Sequence, residues 1–508
     1  MKSSLPTIAG MTLAKLSLAV GAGLIITACG GGSDSSSNDD LLTLDNVRQV
    51  LNTNADIALA AYTDSVITAE ALLDAIEALE ADPTQATLDA ARKAWLVARE
   101  PYGQTEVYRF RNSPIDSTDY SSEDGPEGDI NAWPLGEALI DYVVVNDDDN
   151  DDMEPEGDFG TDQVGVTDNG LEVGDVTDAG AYEITIDEYN NRENIIGRTD
   201  IEINAALLAN NATADDEHDV IAGYHAIEFL LWGQDLNDNG ETTEGDDRDE
   251  AVKTYGVSAL ASGGQRPVSD FTEETYGERR LTYLKVATQK LIDDLTAVRD
   301  GWAVGASYRN AFTTINSEAD AQEKLTEILT GMGTLSEGEL GGERMQIALS
   351  ANSQEDEHSC FSDNTHRDVW LNAEGVSNSY YGVYAGYDSD LDGVDDVSTN
   401  AVDGYGLDDL LADAGKNTLK AEFEAALTLT ETNYKAIDTQ ARAGSPFDVQ
   451  IMTENLSEDS PIAKTILALN AQSRIVVDFA AEIGVDGSVV VDPDASGCDT
   501  ENPTASCD

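Results

Sequence analysis

Segments with apolar residues at helical spacing dominate this sequence and constrain the fold more than any other feature. One such stripe is formed by Leu88, Ala91, Trp95 and Ala98. Residues three, four and seven positions apart share one face of an α-helix, so this segment predicts an amphipathic helix. Asp82-Pro83 just before it is typical of a helix start, with Asp as the N-cap and Pro in the first turn.

The same helical spacing recurs along most of the chain, whereas the alternation typical of strands is scarce. The segments that predict helices are 56–79, 201–209, 217–232, 279–302, 319–331, 343–350, 419–438 and 462–483. A chain of this kind buries its apolar stripes by packing helix against helix. We therefore predict an all-α fold of two helical-bundle halves with long acidic loop insertions.

Changes in composition suggest a domain organisation. Acidic, Gly-rich text around residues 238–275 separates two helical regions, and an Asp- and Gly-rich tail with two cysteines ends the chain. The predicted parts are a signal peptide (1–28), a flexible tether (29–40), an N-terminal bundle half (41–260), a C-terminal bundle half (261–485) and an acidic tail (486–508).

Charge excludes some classes of partner. The chain has 28 Lys and Arg against 99 Asp and Glu, a formal net charge of -71. Like charges repel at long range, so we expect no nucleic-acid partner. Such a surface is more often a solubilising, salt-adapted layer than a binding site.

The N-terminus predicts export and a lipid anchor. Lys2 and Lys15 precede an apolar run, 16–26, that is too short for a stable membrane span. The run ends in Ile26-Thr27-Ala28-Cys29, which resembles a bacterial lipoprotein signal. This resemblance implies cleavage before Cys29, lipidation of its sulfur and new amino group, and a place in the bacterial cell envelope. Gly30 is compatible with the outer membrane, at its periplasmic face or surface; an ordinary secretory signal is the alternative.

The remaining cysteines agree with export. Cys498 and Cys507 lie close together in the tail, where a disulfide could close a small loop. That pairing would leave Cys360, which we expect to be buried because Phe361 and Trp370 lie near it in the sequence.

His225 and Glu228 are the strongest candidates for a functional site. Three residues apart, they share one face of a helix that is apolar nearly all round. A buried carboxylate must pair with a cation, become neutral or bind a metal, and a nearby imidazole is a natural second ligand. Zinc, iron and copper all suit this pair. The alternative is a His–Glu hydrogen bond that fills a polar gap in the core.

Two further segments could complete such a site. Residues 355–368 are dense in potential ligands, among which Glu357 and His358 are candidates. Glu106 lies one helical turn before Arg109 and could form an ion pair or face a site. The alternatives are a solvated acidic loop for the first segment and a salt-bridged helix face for the second.

An acidic loop resembles the start of a calcium-binding loop. Asp388, Asp390 and Asp392 alternate before Gly393, which is the arrangement of oxygen ligands that calcium needs. Thr399 stands where the closing Glu of an EF-hand would be, so structural calcium and a simple acidic turn both remain open.

Several known active-site patterns are absent from the sequence. It contains no His-Glu-x-x-His helix, no phosphate-binding loop ending in Lys-Ser or Lys-Thr, and no Gly-x-Ser-x-Gly elbow.

The segment GYHAIEFLLWGQDLN (223–237) resembles the Gly-x-His-x-x-Glu signature of imelysin-like proteins. The segments 94–110, 130–142, 328–345 and 355–368 resemble the iron-regulated protein A branch of that family. The resemblance implies an all-helical fold with a site between two bundle-like halves, and it places the signature on Gly223, His225 and Glu228. Members are associated with iron uptake, although the family was first named for a metallopeptidase.

These observations lead to one hypothesis and two alternatives. We expect a lipid-anchored envelope protein that binds a metal ion, iron being favoured, or an iron-containing ligand, through His225, Glu228 and a subset of His358, Glu357 and Glu106. Its partners would be the membrane and envelope iron-uptake proteins. The alternatives are a metallopeptidase of the imelysin type and a non-catalytic surface interaction protein.

Overall fold

A computed structural model describes four stretches of the chain: 41–141, 194–209, 220–234 and 264–507. Within these stretches, residues 120, 122–123, 134, 265, 273–275, 352–355, 453–456 and 492–496 are not described. Two further segments, 171–173 and 182–184, are described by their backbone alone. The predicted signal peptide, the lipidation site Cys29 and the tether lie outside the described residues.

Helices make up most of the described chain. The longer ones are α1 (Leu44–Ala81), α2 (Gln85–Gly103), α5 (Gly223–Trp232), α6 (Tyr276–Trp302), α8 (Glu318–Thr334), α10 (Thr365–Tyr381), α12 (Asn417–Arg442) and α14 (Pro461–Glu482). The shorter ones are α3 (Glu127–Ile130), α4 (Glu137–Ile140), α7 (Ser307–Thr313), α9 (Ala348–Ala351), α11 (Leu407–Asp413) and α13 (Phe447–Ile451). Single 3₁₀ turns span Glu106–Tyr108, Val268–Phe271, Cys360–Ser362 and Gly487–Val489.

The described strands form two small antiparallel pairs. Strand β1 (Leu171–Val173) pairs with β2 (Tyr182–Ile184), and β3 (Val383–Tyr387) pairs with β4 (Asp396–Asp403). The prediction of an all-α fold is confirmed, and the hairpin of β3 and β4 is an addition that it did not contain.

The start of α2 differs from the prediction at Asp82-Pro83. The N-cap is Thr84, whose hydroxyl accepts a hydrogen bond from the Thr87 backbone N–H, while the Thr84 N–H donates to the Thr87 hydroxyl at 3.0 Å. This reciprocal pair satisfies two N–H groups that would otherwise lack partners, so it fixes the helix start two residues later. The predicted stripe lies on the buried face as expected.

Two groups of helices pack into bundles. Helices α1, α2, α5 and α6 pack together, and the second group contains α8, α10, α12 and α14. Helix α6 comes after residue 260 in the chain yet packs on α1, so the first bundle continues to Trp302. The described residues of 41–141, 194–209, 220–234 and 264–507 belong to one compact unit.

A thirteen-residue π-helix, Leu335–Ile347, continues directly from α8 and packs on α14. Most π-helices are single-turn bulges, and many of these occur at functional sites. The sequence predicts an ordinary α-helix over residues 343–350. The structure corrects this, because residues up to 347 belong to the π-helix. Gly338, Gly341 and Gly342 lie within it.

Two other local predictions need correction or completion. Residues 201–209 form turns rather than the predicted helix. The irregular backbone still buries Ile201, Leu207 and Leu208. Arg279 stabilises this conformation, because its guanidinium donates to backbone carbonyls of this region and of the turn before it. Helix α10 begins at Thr365, inside the ligand-rich segment 355–368. Among the described helices, none is both long and apolar enough to cross a membrane.

Candidate functional site

Gly223 fixes where α5 begins and how closely it approaches the preceding chain. Its φ is 82°, and a Cβ at this position would lie 2.5 Å from the carbonyl oxygen of Ile130. Both the positive φ and the close approach require glycine. The glycine of the signature therefore sets the distance between α5 and the segment that carries Asn131.

His225 and Glu228 are fully buried and contact each other. The Nδ1 atom of His225 is 2.9 Å from Oε2 of Glu228. The other oxygen of Glu228 accepts hydrogen bonds from the backbone N–H and the hydroxyl of Ser362, at 2.9 and 2.6 Å. Both carboxyl oxygens are thus engaged, and Glu228 orients the ring of His225 as second-layer carboxylates do in metal sites.

The second ring nitrogen of His225 has a different environment. Nε2 is buried, and among the described residues no hydrogen-bond partner reaches it. The ring of His358 lies edge-on to that of His225, with centroids 4.8 Å apart, and Trp133 packs on the same ring at 4.9 Å. A buried polar atom without a partner is costly, so this nitrogen indicates where a ligand or water would bind.

Asn131 links the histidines to a group of buried ions. Its Nδ2 donates to Nε2 of His358 at 3.2 Å and to Oε1 of Glu106 at 3.3 Å, and its Oδ1 accepts from Arg99. Because the amide is the donor, Nε2 of His358 is an acceptor in this arrangement. The predicted residues His358 and Glu106 are therefore connected through a residue that the prediction did not include.

Glu106 lies at the centre of an arginine–carboxylate network. Its Oε2 accepts from Arg109 at 3.1 Å and from Arg344 at 3.2 Å. Arg344, on the π-helix, also binds Glu339 at 3.0 Å, and Arg109 lies 3.5 Å from Glu127. The predicted ion pair of Glu106 and Arg109 is present, but it is interior rather than on an exposed helix face.

Arg99 of α2 connects the site to α10. Its guanidinium donates to Oδ1 of Asp368 at 2.9 and 3.2 Å, and the Ser359 hydroxyl donates to Oδ2 at 2.5 Å. Arg99 and Asp368 are both almost fully buried. This pair holds α2 and α10 together beside the histidines.

Burial determines the charge of the central residues. Burial, with smaller contributions from Arg99 and Arg344, holds the pKa of His225 well below its usual range. Burial and then Arg344 lower the pKa of His358 in the same way. Burial raises the pKa of Glu228 well above its usual value despite the hydrogen bonds from Ser362. The pKa of Glu106 is lowered, because Arg344 and Arg109 outweigh the burial that would raise it.

The structure thus brings the predicted ligands into one region without making them a closed metal cage. His225, Glu228 and His358 are together, Glu106 joins them through Asn131, and Glu357 is fully buried beside His358 in the chain. In the described part of the chain, the groups of three or more His, Cys, Asp or Glu with ligand atoms within 4.8 Å are limited to Asp388, Asp390 and Asp392.

The acidic loop has a simpler local structure. Asp388 is fully buried and accepts hydrogen bonds from the backbone N–H groups of Asp392 and Gly393, at 3.0 and 2.6 Å, whereas Asp390 and Asp392 are exposed. Arg442 donates to the Leu391 carbonyl at 2.9 Å. Structural calcium stays a prediction for this loop.

The cysteine positions are also clear. The structure joins Cys498 and Cys507 by a disulfide, and Cys360 is a buried thiol.

Four residues important to this region were missed by sequence reasoning: Asn131, Ser362, Arg99 and Arg344. Each acts through contacts between distant parts of the chain, which spacing along a helix does not reveal. The one available signal was the family resemblance, because all four residues lie in the segments that carry it: Arg99 in 94–110, Asn131 in 130–142, Arg344 in 328–345 and Ser362 in 355–368.

The chain is all-helical, and its buried helix α5 begins Gly-x-His-x-x-Glu with a second histidine packed on the first, which defines a class of helical proteins by fold and motif. The family model described as Imelysin matches residues 58–476. The chain belongs to the imelysin family.

Individual proteins are similar to this chain over different lengths. Iron-regulated protein A of Synechococcus elongatus is 34% identical over 79 residues, which is 16% of this chain and 20% of that protein. The match therefore spans about a fifth of that relative's length. An iron-regulated protein A precursor from Parabacteroides distasonis has a TM-score of 0.49 at 18% identity and covers 88% of this chain and 96% of its own. An imelysin-like protein from Psychrobacter arcticum has a TM-score of 0.49 at 13% identity, covering 88% and 98%.

Proposed function

We propose that this protein is a lipid-anchored cell-envelope protein that binds an iron-containing ligand, or a metal ion with iron favoured, at His225. The observation that carries this proposal is the buried Nε2 atom of His225, which lacks a hydrogen-bond partner among the described residues while Nδ1 is held by Glu228. A metal-binding histidine commonly has its other nitrogen bound to a carboxylate in this way.

The chemistry of the surrounding residues fits a metal. The lowered pKa values keep His225 and His358 neutral near pH 7, and neutral imidazole is the form that binds metals. An imidazole nitrogen suits iron, zinc and copper, and membership of the imelysin family together with the iron-regulated relative favours iron.

The arrangement favours a ligand that brings donor atoms of its own. Glu228 is engaged by His225 and Ser362, and Glu106 by Asn131 and two arginines, so neither carboxylate is poised to complete a coordination shell. We therefore assign Glu228 to positioning His225 and Nε2 of His225 to direct contact, while His358, whose Nε2 accepts from Asn131, lines the site beside it. The same engagement argues against Glu228 as the general base of a peptidase.

Elemental analysis of the purified mature protein tests the metal proposal. We expect iron in the wild type and its loss in His225→Ala, because the proposed contact atom is removed. Glu228→Gln should weaken binding of ferric citrate about 10- to 100-fold in a titration, the range typical of outer-layer partners of metal-binding histidines.

Two matched substitutions serve as controls. Glu70→Gln changes an exposed carboxylate on α1, and His366→Ala removes a histidine that contacts Asp438 instead of the site. Equal iron content in His225→Ala and the wild type would refute the proposal. Casein hydrolysis that disappears in His225→Ala would favour the metallopeptidase instead.

The lipid anchor is tested separately. Cys29→Ser removes the proposed acylation site, so the protein should move from the membrane fraction to the soluble envelope fraction with its iron content unchanged. Retention of this variant in the membrane fraction would show that attachment does not depend on Cys29.

A further inference from the structure

One side chain of the π-helix, Gln346, binds three backbone carbonyls of the tail loop that the Cys498–Cys507 disulfide closes. Gln346 is fully buried, and its Nε2 lies 3.1 Å from the carbonyl oxygen of Asp499, 3.2 Å from that of Asn502 and 3.2 Å from that of Ala505. An amide offers two N–H groups, so these three carbonyls saturate it as a donor. The amide thus organises the whole loop around one point of the π-helix.

Other contacts extend this attachment to α14. Asn470 donates to the Thr500 hydroxyl at 2.8 Å and to Glu337 of the π-helix at 3.1 Å, and the Thr500 hydroxyl lies 3.3 Å from the same carboxylate. Gln472 donates to Ser336 at 3.0 Å. The tail loop, α14 and the π-helix therefore share one buried hydrogen-bond network.

The same π-helix carries Arg344, two residues before Gln346, into the network around Glu106. Glu339 and Arg344 are five residues apart and contact each other at 3.0 Å, which matches the i to i+5 repeat of a π-helix. In an α-helix, residues five apart turn about 140° away from each other. The ion pair, and with it the direction of Arg344 toward Glu106, depends on the π winding.

A π-helix of this length is intrinsically unfavourable relative to an α-helix, so something outside it must hold its winding. We propose that Gln346 is a positioning residue: with the disulfide-closed loop, it fixes the π winding that keeps Arg344 on Glu106. Without this attachment, the segment rewinds toward an α-helix and Arg344 turns away from Glu106. The consequence for ligand affinity rests on the proposed function, whereas the attachment itself does not.

Hydrogen exchange on the metal-free, full-length protein tests the attachment. Gln346→Met keeps the side-chain length and removes the N–H donors. The Cys498→Ser/Cys507→Ser double variant opens the loop without changing a residue of the π-helix, although Sγ of Cys498 lies 3.9 Å from the carbonyl oxygen of Gly342. We expect backbone amides of residues 335–347 to lose protection by about tenfold or more in both, while those of α1 and α2 stay unchanged. Gln289→Met, an exposed glutamine on α6, is the matched control.

Titration of the same variants with ferric citrate tests the positioning role. We expect at least fivefold weaker binding in Gln346→Met and in the double variant, with no change in Gln289→Met. Unchanged protection of 335–347 in both variants overturns the proposal, and so does lost protection with wild-type affinity, because Arg344 would then not depend on the loop. If the wild type binds no iron, the proposed function fails, and the exchange data alone decide the attachment.

Discussion

The buried histidine site and the acidic loop at Asp388 are both groups of potential metal ligands, but they are built in opposite ways. In the loop, three carboxylates lie within 4.8 Å of one another and two of them are exposed. In the histidine site, the side chains are buried, the imidazoles have lowered pKa values, and the nearby carboxylates are occupied by hydrogen bonds and arginines.

The difference follows from solvation. At the surface, water screens the repulsion between carboxylates, so a cluster of them needs no partner. In the interior, an unpaired charge is too costly, so the charged groups near the histidines are paired, while Nε2 of His225, a neutral nitrogen, is left without a partner among the described residues. A cluster of acids is therefore weaker grounds for a site than one unsatisfied interior atom.

The two regions should differ most in how much the free energy of unfolding falls when an arginine is removed. Arg99→Met leaves Asp368 buried without its counter-charge, so we expect a loss of about 3–5 kcal/mol in the free energy of unfolding. Arg442→Met, beside the acidic loop, removes an ion pair whose arginine is about one-third exposed and should cost about 1 kcal/mol or less. Urea unfolding measures both. Similar losses in the two variants would show that burial does not separate the regions.

His366 gives a pH test on the side of the acidic loop, where Asp438 lies 3.6 Å from its Nε2 and also binds Arg442. Burial lowers the pKa of His366 to about 4, although Asp438 acts to raise it. The unfolded chain then takes up this proton first, near pH 6.5, so the contribution of His366 to stability falls as pH falls from about 6.5 to about 4.

The expected slope for this residue is at most about 1.4 kcal/mol per pH unit. It is measured as the difference in unfolding free energy between the wild type and His366→Gln at several pH values. A difference that stays constant between pH 7 and 4 would contradict the lowered pKa.

The smallest effect is expected at the acidic loop itself. Asp388→Asn replaces a carboxylate that accepts two backbone N–H bonds, and should cost about 1 kcal/mol. If the loop binds calcium, added calcium raises the melting temperature of the wild type more than that of the variant. Asp390→Asn, which is exposed, is the control for the loss of one charge. An equal calcium effect in all three proteins would remove the loop from consideration as a calcium site.

Local pattern predicted the helices well and the site partly. Leu88, Ala91, Trp95 and Ala98 were predicted to lie on one buried face, and they do, because their burial depends only on helical periodicity. His225 and Glu228 were predicted to lie together for the same reason.

The rest depended on contacts that no local pattern records. Asn131 meets His358 across 227 positions in the chain, and Ser362 meets Glu228 across 134. The π winding of residues 335–347 was missed for the same reason. Its ion pair and the contacts of its buried glutamine are visible only in the folded chain, where the tail packs against this segment.

Gly223 also has a consequence for how the site could change over time. Because Gly223 has no side chain, the Ile130 carbonyl packs directly against the backbone of α5. This backbone contact fixes the distance between the two imidazoles and the Glu106 network. A single methyl group there would act as a spacer and lift Asn131 off His358. The signature glycine thus determines this distance. A substitution at this one position could separate the imidazoles from the Glu106 network during evolution, without a change in any residue whose side chain forms hydrogen bonds there.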